Sequence, residues 1–246
     1  MPTKLEQTAL NRVRGAWMEL FAAMRNLDRT AVVRPAEGTD IFKSASMVGS
    51  RARVETGPVV LKVRERAYGK SGTSLFVVVR GSIDFEVAGG NGALRAVCFS
   101  TNVAYFKETS SEVKHVFGVH FDFDRTIAHP IFHAQMRSHN SYYEEVRKRF
   151  WNRPSTEVPS DCVKGLLSNV KLPTAQMDFF SVVLLICSDH LINPQMGSQG
   201  SRARERYGKV RAASGTMSGY GIEHKGLKEA FSERCLRSHF WYADPN

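Results

Sequence analysis

Cysteine is scarce and scattered: Cys98, Cys162, Cys187 and Cys235 lie far apart, with no CxxC pair among them. This excludes a thioredoxin-like redox motif and a paired-cysteine zinc module, and it predicts free, mostly buried thiols in a reducing compartment. Long apolar runs are absent too. Even SVVLLIC at 181–187 is flanked by Asp178 and Asp189, well short of the roughly 20 residues that cross a bilayer as a helix. The opening MPTKLEQTAL is polar and helical in character, unlike a secretory leader, so a soluble cytoplasmic protein is expected. Nucleotide and hydrolase signatures are missing: there is no GxxxxGK[ST], no GxGxxG after a strand and no GxSxG elbow.

Negative charge is in deficit. Lys and Arg number 34 against 24 Asp and Glu, a formal charge of +10. That surplus attracts polyanions and points to RNA, DNA or an acidic protein partner. Otherwise the composition, 42% hydrophobic, 10% aromatic and 24% charged, is that of a folded globular chain. At 246 residues it is expected to form a single domain, 1–246, able to bury about 70% of its extended surface.

The apolar positions Leu5, Ala9, Val13, Ala16, Trp17, Leu20, Phe21 and Met24 recur at three-and-four spacing and predict an amphipathic helix over 3–27. Thr3 and Glu6 have the spacing of a capping box. From 59 the period changes to two. The runs VVLKVRERAY (59–68), SLFVVVR (74–80), SIDFEVA (82–88), LRAVCFSTNVAYF (94–106) and HVFGVHFDFD (115–124) predict five strands of an antiparallel meander, with turns at Gly81 and at GGNG 89–92. Beyond it, Pro130 suits the first turn of a helix running to Trp151, and 152–159 reads as a linker. Further helices are predicted over 175–192 and 225–240, the last docking on the body, with a flexible basic segment at 197–221 between them. The predicted fold class is α+β: an antiparallel meander sheet of about five strands (59–124), flanked by an N-terminal helix and several C-terminal helices.

The chemistry concentrates in HFDFDRTIAHPIFHAQ, residues 120–135, and five of the eight histidines fall between 115 and 139. On a strand, His120, Asp122 and Asp124 share one face while Val119, Phe121 and Phe123 share the other. On a helix starting near Pro130, His129 and His133 stack one turn apart. Together His120, Asp122, His129 and His133 form a candidate catalytic group, with Arg125 to hold a phosphate and Gln135 to orient a substrate. Such a set would suit cleavage of a phosphodiester by general acid–base catalysis. The same four side chains are also a plausible first shell for a divalent metal, zinc or manganese, although HxxxH without an internal Glu is a weak motif. The structural alternative is that these histidines hydrogen-bond the strand to the element that follows.

Basic residues offer a second candidate. Lys62, Arg64 and Arg66 alternate on one strand face, and Arg202, Arg204 and Arg206 lie in the basic segment; both sets suit contacts to a nucleic-acid backbone.

TNVAYFK, HFDFD and HPIFHAQ resemble segments of uncharacterised bacterial proteins, some encoded near toxin or anti-phage gene clusters. The resemblance covers about 95–140. It implies that 120–135 is the core of that family and supplies no reaction. Two functional classes follow: a small nuclease or toxin-like, anti-phage component using the His/Asp cluster, or a non-enzymatic scaffold or sensor subunit of a multi-protein system in which the cluster is structural.

Overall fold

A computed structural model of the chain describes residues 2–27, 32–34, 41–42, 44–64, 74–88, 93–108, 113–123, 132–136, 171–174, 177–191, 205 and 208. Helix α1 spans Lys4–Leu27. Its start is the predicted capping box: the Thr3 N–H donates to Glu6 Oε2, and the Glu6 N–H donates to Thr3 Oγ1 at 3.2 Å. These bonds stabilise the charged carboxylate, and Glu6 is held below the usual carboxylate range by the Thr3 backbone and side chain. The predicted apolar stripe is the buried one, from Ala9 through Val13, Trp17 and Leu20 to Met24.

Nine antiparallel strands form a single sheet among the described residues: β1 (Val32–Arg34), β2 (Ala45–Val48), β3 (Arg51–Glu55), β4 (Val59–Arg64), β5 (Ser74–Ala88), β6 (Ala93–Glu108), β7 (Val113–Phe123), β8 (Phe132–Met136) and β9 (Lys171–Pro173). Seven lie in the row β1-β4-β5-β6-β7-β8-β9, while β3 pairs with both β2 and β5. β5 is long enough to serve two partners on one edge. Its first half pairs with β4, from Ser74 to Val79, and its second with β3, from Ser82 to Phe85. β2 and β3 form a tight hairpin in which Gly49 takes φ +61°, a left-handed conformation suited to glycine.

Gly81 corrects one sequence expectation. It is no turn: 74–88 is one continuous strand, and Gly81 lies inside it where the chain passes from β3 to β4. Thr56 closes that seam, its N–H donating to the Gly81 carbonyl at 2.9 Å and its hydroxyl accepting from the Gly81 N–H at 2.8 Å. The glycine is needed for close approach, because a Cβ there would lie 2.9 Å from the Ser100 carbonyl oxygen and 3.2 Å from Phe179 Cβ.

Phe179 opens helix α2, Phe179–Ile186, which continues as a π-helical turn over Cys187–Leu191. This lies within the predicted 175–192 helix but starts later, because Asp178 caps it, accepting from the N–H groups of Phe180 (2.9 Å) and Ser181 (3.2 Å). α1 and α2 pack on the same sheet face. There Trp17, Phe42, Phe179 and Phe180 interlock, with ring centroids of neighbouring pairs 5.5–6.0 Å apart, over Val54, Val77, Val79, Ile83 and Phe85.

The second correction is larger. The predicted helix from 130 begins as strand: Phe132–Met136 pairs antiparallel with β7 across Val119↔Met136 to Phe123↔Phe132. The segment satisfies a helical HxxxH spacing and a strand alternation equally well, and the open edge of β7 decides between them by offering a ladder of hydrogen bonds. The sheet is therefore larger than the five-strand meander. Residues 137–170, which include the rest of that predicted helix and the linker, lie outside the described residues, as do the predicted helix 225–240 and nearly all of 197–221. Among the described residues, no helix is long and apolar enough to cross a membrane.

Candidate functional site

The register carries the polar residues into rows on the face opposite α1 and α2. One row runs Arg80, Asn102, His120, Gln135, Lys171 across β5, β6, β7, β8 and β9; the next runs Ser82, Ser100, Asp122, His133. A third joins Arg53, Asp84 and Cys98 across β3, β5 and β6. His120 and Asp122 share a face, with Val119 and Phe123 in the core on the other, as alternation predicts. Asp124 lies outside the described residues.

His120 is the centre of the cluster and is only 8% exposed. Its Nδ1 is 2.8 Å from Asn102 Oδ1 and its Nε2 is 3.3 Å from Asp122 Oδ2. Asp122 is further committed, because its Oδ1 accepts the Phe123 N–H at 2.9 Å. The imidazole thus bridges β6 to its own strand with both ring nitrogens engaged. Asn102 was not anticipated from sequence. The signal was present, since Ser100 and Asn102 alternate with Phe99 and Thr101, but it becomes legible only once β6 is paired with β7.

His133 and Gln135 reach this cluster from a strand and not from a helix, facing Asp122 and His120 respectively. They are 1% and 8% exposed, more buried than Phe132, Ala134 and Met136 on the opposite side of β8. His120, His133 and Gln135 are therefore withdrawn from solvent, while the Asp122 side chain stays 33% exposed. The same face becomes apolar toward β4, where Val60, Val78 and Ala104 lie abreast and buried. The structure brings together His120, Asp122, His133 and Gln135. His129 and Arg125 lie outside the described residues, and the one-turn stacking of His129 on His133 is replaced by the strand geometry at His133. Among the described residues, no group of three or more His, Cys, Asp or Glu side chains is arranged to hold a metal ion.

Beside this cluster Arg53 clamps Asp84 through two bonds, Nε to Oδ1 at 2.7 Å and Nη2 to Oδ2 at 2.8 Å. The partnership raises the Arg53 pKa above its ordinary value. Cys98, between Asp84 and Asp122, is pushed up to about 11 by burial first and then by those two negative charges, so it is a thiol and a poor nucleophile. Cys187 is pushed up to about 12 by burial.

Of the predicted basic contacts, Lys62 is exposed on β4 and places Nζ 5.3 Å from the centre of the Phe76 ring, a cation–π geometry. Arg64 ends β4, in register with Ser74. Arg66, Arg202, Arg204 and Arg206 lie outside the described residues.

Comparison with known proteins adds no relative: no family model, no curated protein and no solved structure matches the chain.

Proposed function

We propose that the chain is a nucleic-acid-binding protein of the non-catalytic class, a scaffold or sensor subunit acting in the cytoplasm, in which the histidine cluster braces the sheet. The observation that carries this reading is the environment of His120, buried, with each ring nitrogen within hydrogen-bond distance of a protein oxygen, Asn102 Oδ1 and Asp122 Oδ2. A general base needs a nitrogen within reach of a substrate proton. Here both nitrogens are engaged within the protein. The +10 charge favours a polyanionic partner, RNA or DNA before an acidic protein.

A second reading, phosphodiester cleavage in a toxin-like or anti-phage setting, draws on His120, Asp122 and His133 lying at adjacent ladder positions, and would use Arg125, His129 and Gln135 as supporting groups, with or without zinc or manganese. One experiment separates the two. Wild-type protein and His120→Gln are titrated into labelled single-stranded and duplex oligonucleotides between about 50 and 200 mM salt, and the products are run on a gel with and without Zn²⁺ or Mn²⁺. Binding that weakens steeply with salt, intact oligonucleotide, and a lowered melting temperature with retained affinity in His120→Gln support the brace. Cleavage by wild type that His120→Gln abolishes at unchanged melting temperature overturns it. Salt-independent or undetectable binding removes the nucleic-acid partner.

A further inference from the structure

Near the far end of the β6–β7 hairpin the ladder slips. Tyr105 pairs with Phe117 and Phe106 with His115, so Val116 is an extra residue on β7. Such bulges bend a strand and re-aim its side chains, and they concentrate next to binding sites. Here the buried Phe106 holds the His115 ring edge-on at 5.3 Å, while Val116 and Phe117 are turned outward, 58% and 36% exposed. Phe117 is braced from behind: its ring centre lies 5.8 Å from that of Tyr105, which in turn lies 6.1 Å from that of His190 in the π-helical turn. Two residues along β6 from Tyr105, Lys107 shares its strand face. An exposed, supported aromatic beside a lysine, on a chain of formal charge +10, is the combination by which proteins hold single strands: a base stacks on the ring and the phosphates meet the cations.

We infer that this bulge is a docking point for single-stranded nucleic acid, with Phe117 stacking a base and Lys107 meeting the backbone. The inference rests on the nucleic-acid reading above and specifies its substrate class. A duplex, whose bases are already stacked on one another, gains nothing from Phe117, so the preference is for unpaired strands.

The test uses the full chain and fluorescence anisotropy with labelled oligothymidylate, oligouridylate and a blunt duplex, comparing wild type, Phe117→Ala, Phe117→Tyr, Lys107→Gln and the control Val87→Ala. Val87 is exposed at the opposite end of the sheet. Phe117→Ala should weaken single-strand binding about 5- to 100-fold at unchanged salt slope, Phe117→Tyr should restore it, and Val87→Ala should leave it unchanged. Lys107→Gln should reduce the salt slope by about 0.7. Wild-type affinity in Phe117→Ala, or equal losses on single strand and duplex, overturns the inference while the nucleic-acid reading stands. Failure of wild type to bind any probe overturns both. If sedimentation shows a dimer that Phe117→Ala dissolves without loss of oligonucleotide affinity, the patch joins two copies of the chain, and the inference is again overturned.

Discussion

Replacing Gly81 by alanine tests how the two halves of β5 are joined to the helix above them. The added Cβ meets the Ser100 carbonyl oxygen at 2.9 Å, a backbone atom fixed in the β5–β6 ladder, and the Phe179 Cβ at 3.2 Å, fixed at the start of α2 by the Asp178 cap. Neither is the end of a flexible side chain, so relief requires moving the strand or the helix. Overpacking of this kind costs about 1–3 kcal/mol. Alanine recovers part of that, because glycine within a strand costs about 0.5–1 kcal/mol more in chain entropy. The net expectation is a loss of about 1–2 kcal/mol. Urea unfolding followed by far-UV circular dichroism reads it: at a slope near 3 kcal/mol per molar, the midpoint falls by about 0.3–0.7 M. Were Gly81 instead an exposed turn between separate strands, alanine would meet nothing, and a midpoint equal to or above wild type would refute the packing argument.

Two further predictions concern the polar rows. Arg53→Met strips its bidentate partner from Asp84, whose side chain is 5% exposed, and should cost about 1–3 kcal/mol, reduced because the arginine itself is 37% exposed. Arg53→Met with Asp84→Asn should unfold at higher urea than Arg53→Met alone, and a double variant no more stable than the single one contradicts the ion pair. The cysteines set a pH dependence. Cys98 and Cys187 titrate above their ordinary value of 9.0 in the folded chain, so on unfolding they ionise more readily. Their contribution is intact below about pH 9 and lost as pH rises through about 11 for Cys98 and about 12 for Cys187, and the urea midpoint should fall across that window. At pH 8 native Cys98 should react with a thiol reagent about 100-fold more slowly than in urea, because burial pushes the thiol from 9.0 up to about 11 and cuts its thiolate fraction accordingly. Equal rates would sink this.

Some of the candidate site was legible in the residues themselves. HFDFD alternates strictly, and alternation alone assigns His120 and Asp122 to one face and Phe121 and Phe123 to the other. What followed was not. FHAQM satisfies two periods at once, and the helical reading of Pro130 and HxxxH has no local counter-signal. The strand wins through hydrogen bonds to β7, which no local pattern encodes. Asn102, some eighteen residues upstream of His120, becomes its partner by the same long-range pairing. Gly81 looked like punctuation because glycine ends strands so often, whereas its reason is an approach by Phe179, almost a hundred residues later in the chain.

By itself the amino-acid sequence determined the local periods: the capped amphipathic helix from Lys4, the alternating strands, a helix within 175–192, and a basic surplus of charge. These depend on neighbours within a few residues, where side-chain spacing and capping act directly. The tertiary structure alone decided which strands pair, and hence that His120 lies against Asn102 and Asp122, that His133 and Gln135 belong to a strand, and that His120, His133 and Gln135 are buried. Burial and hydrogen-bond partnership come from residues far apart in the chain, so the chemical character of this histidine cluster is a property of the register and not of the motif.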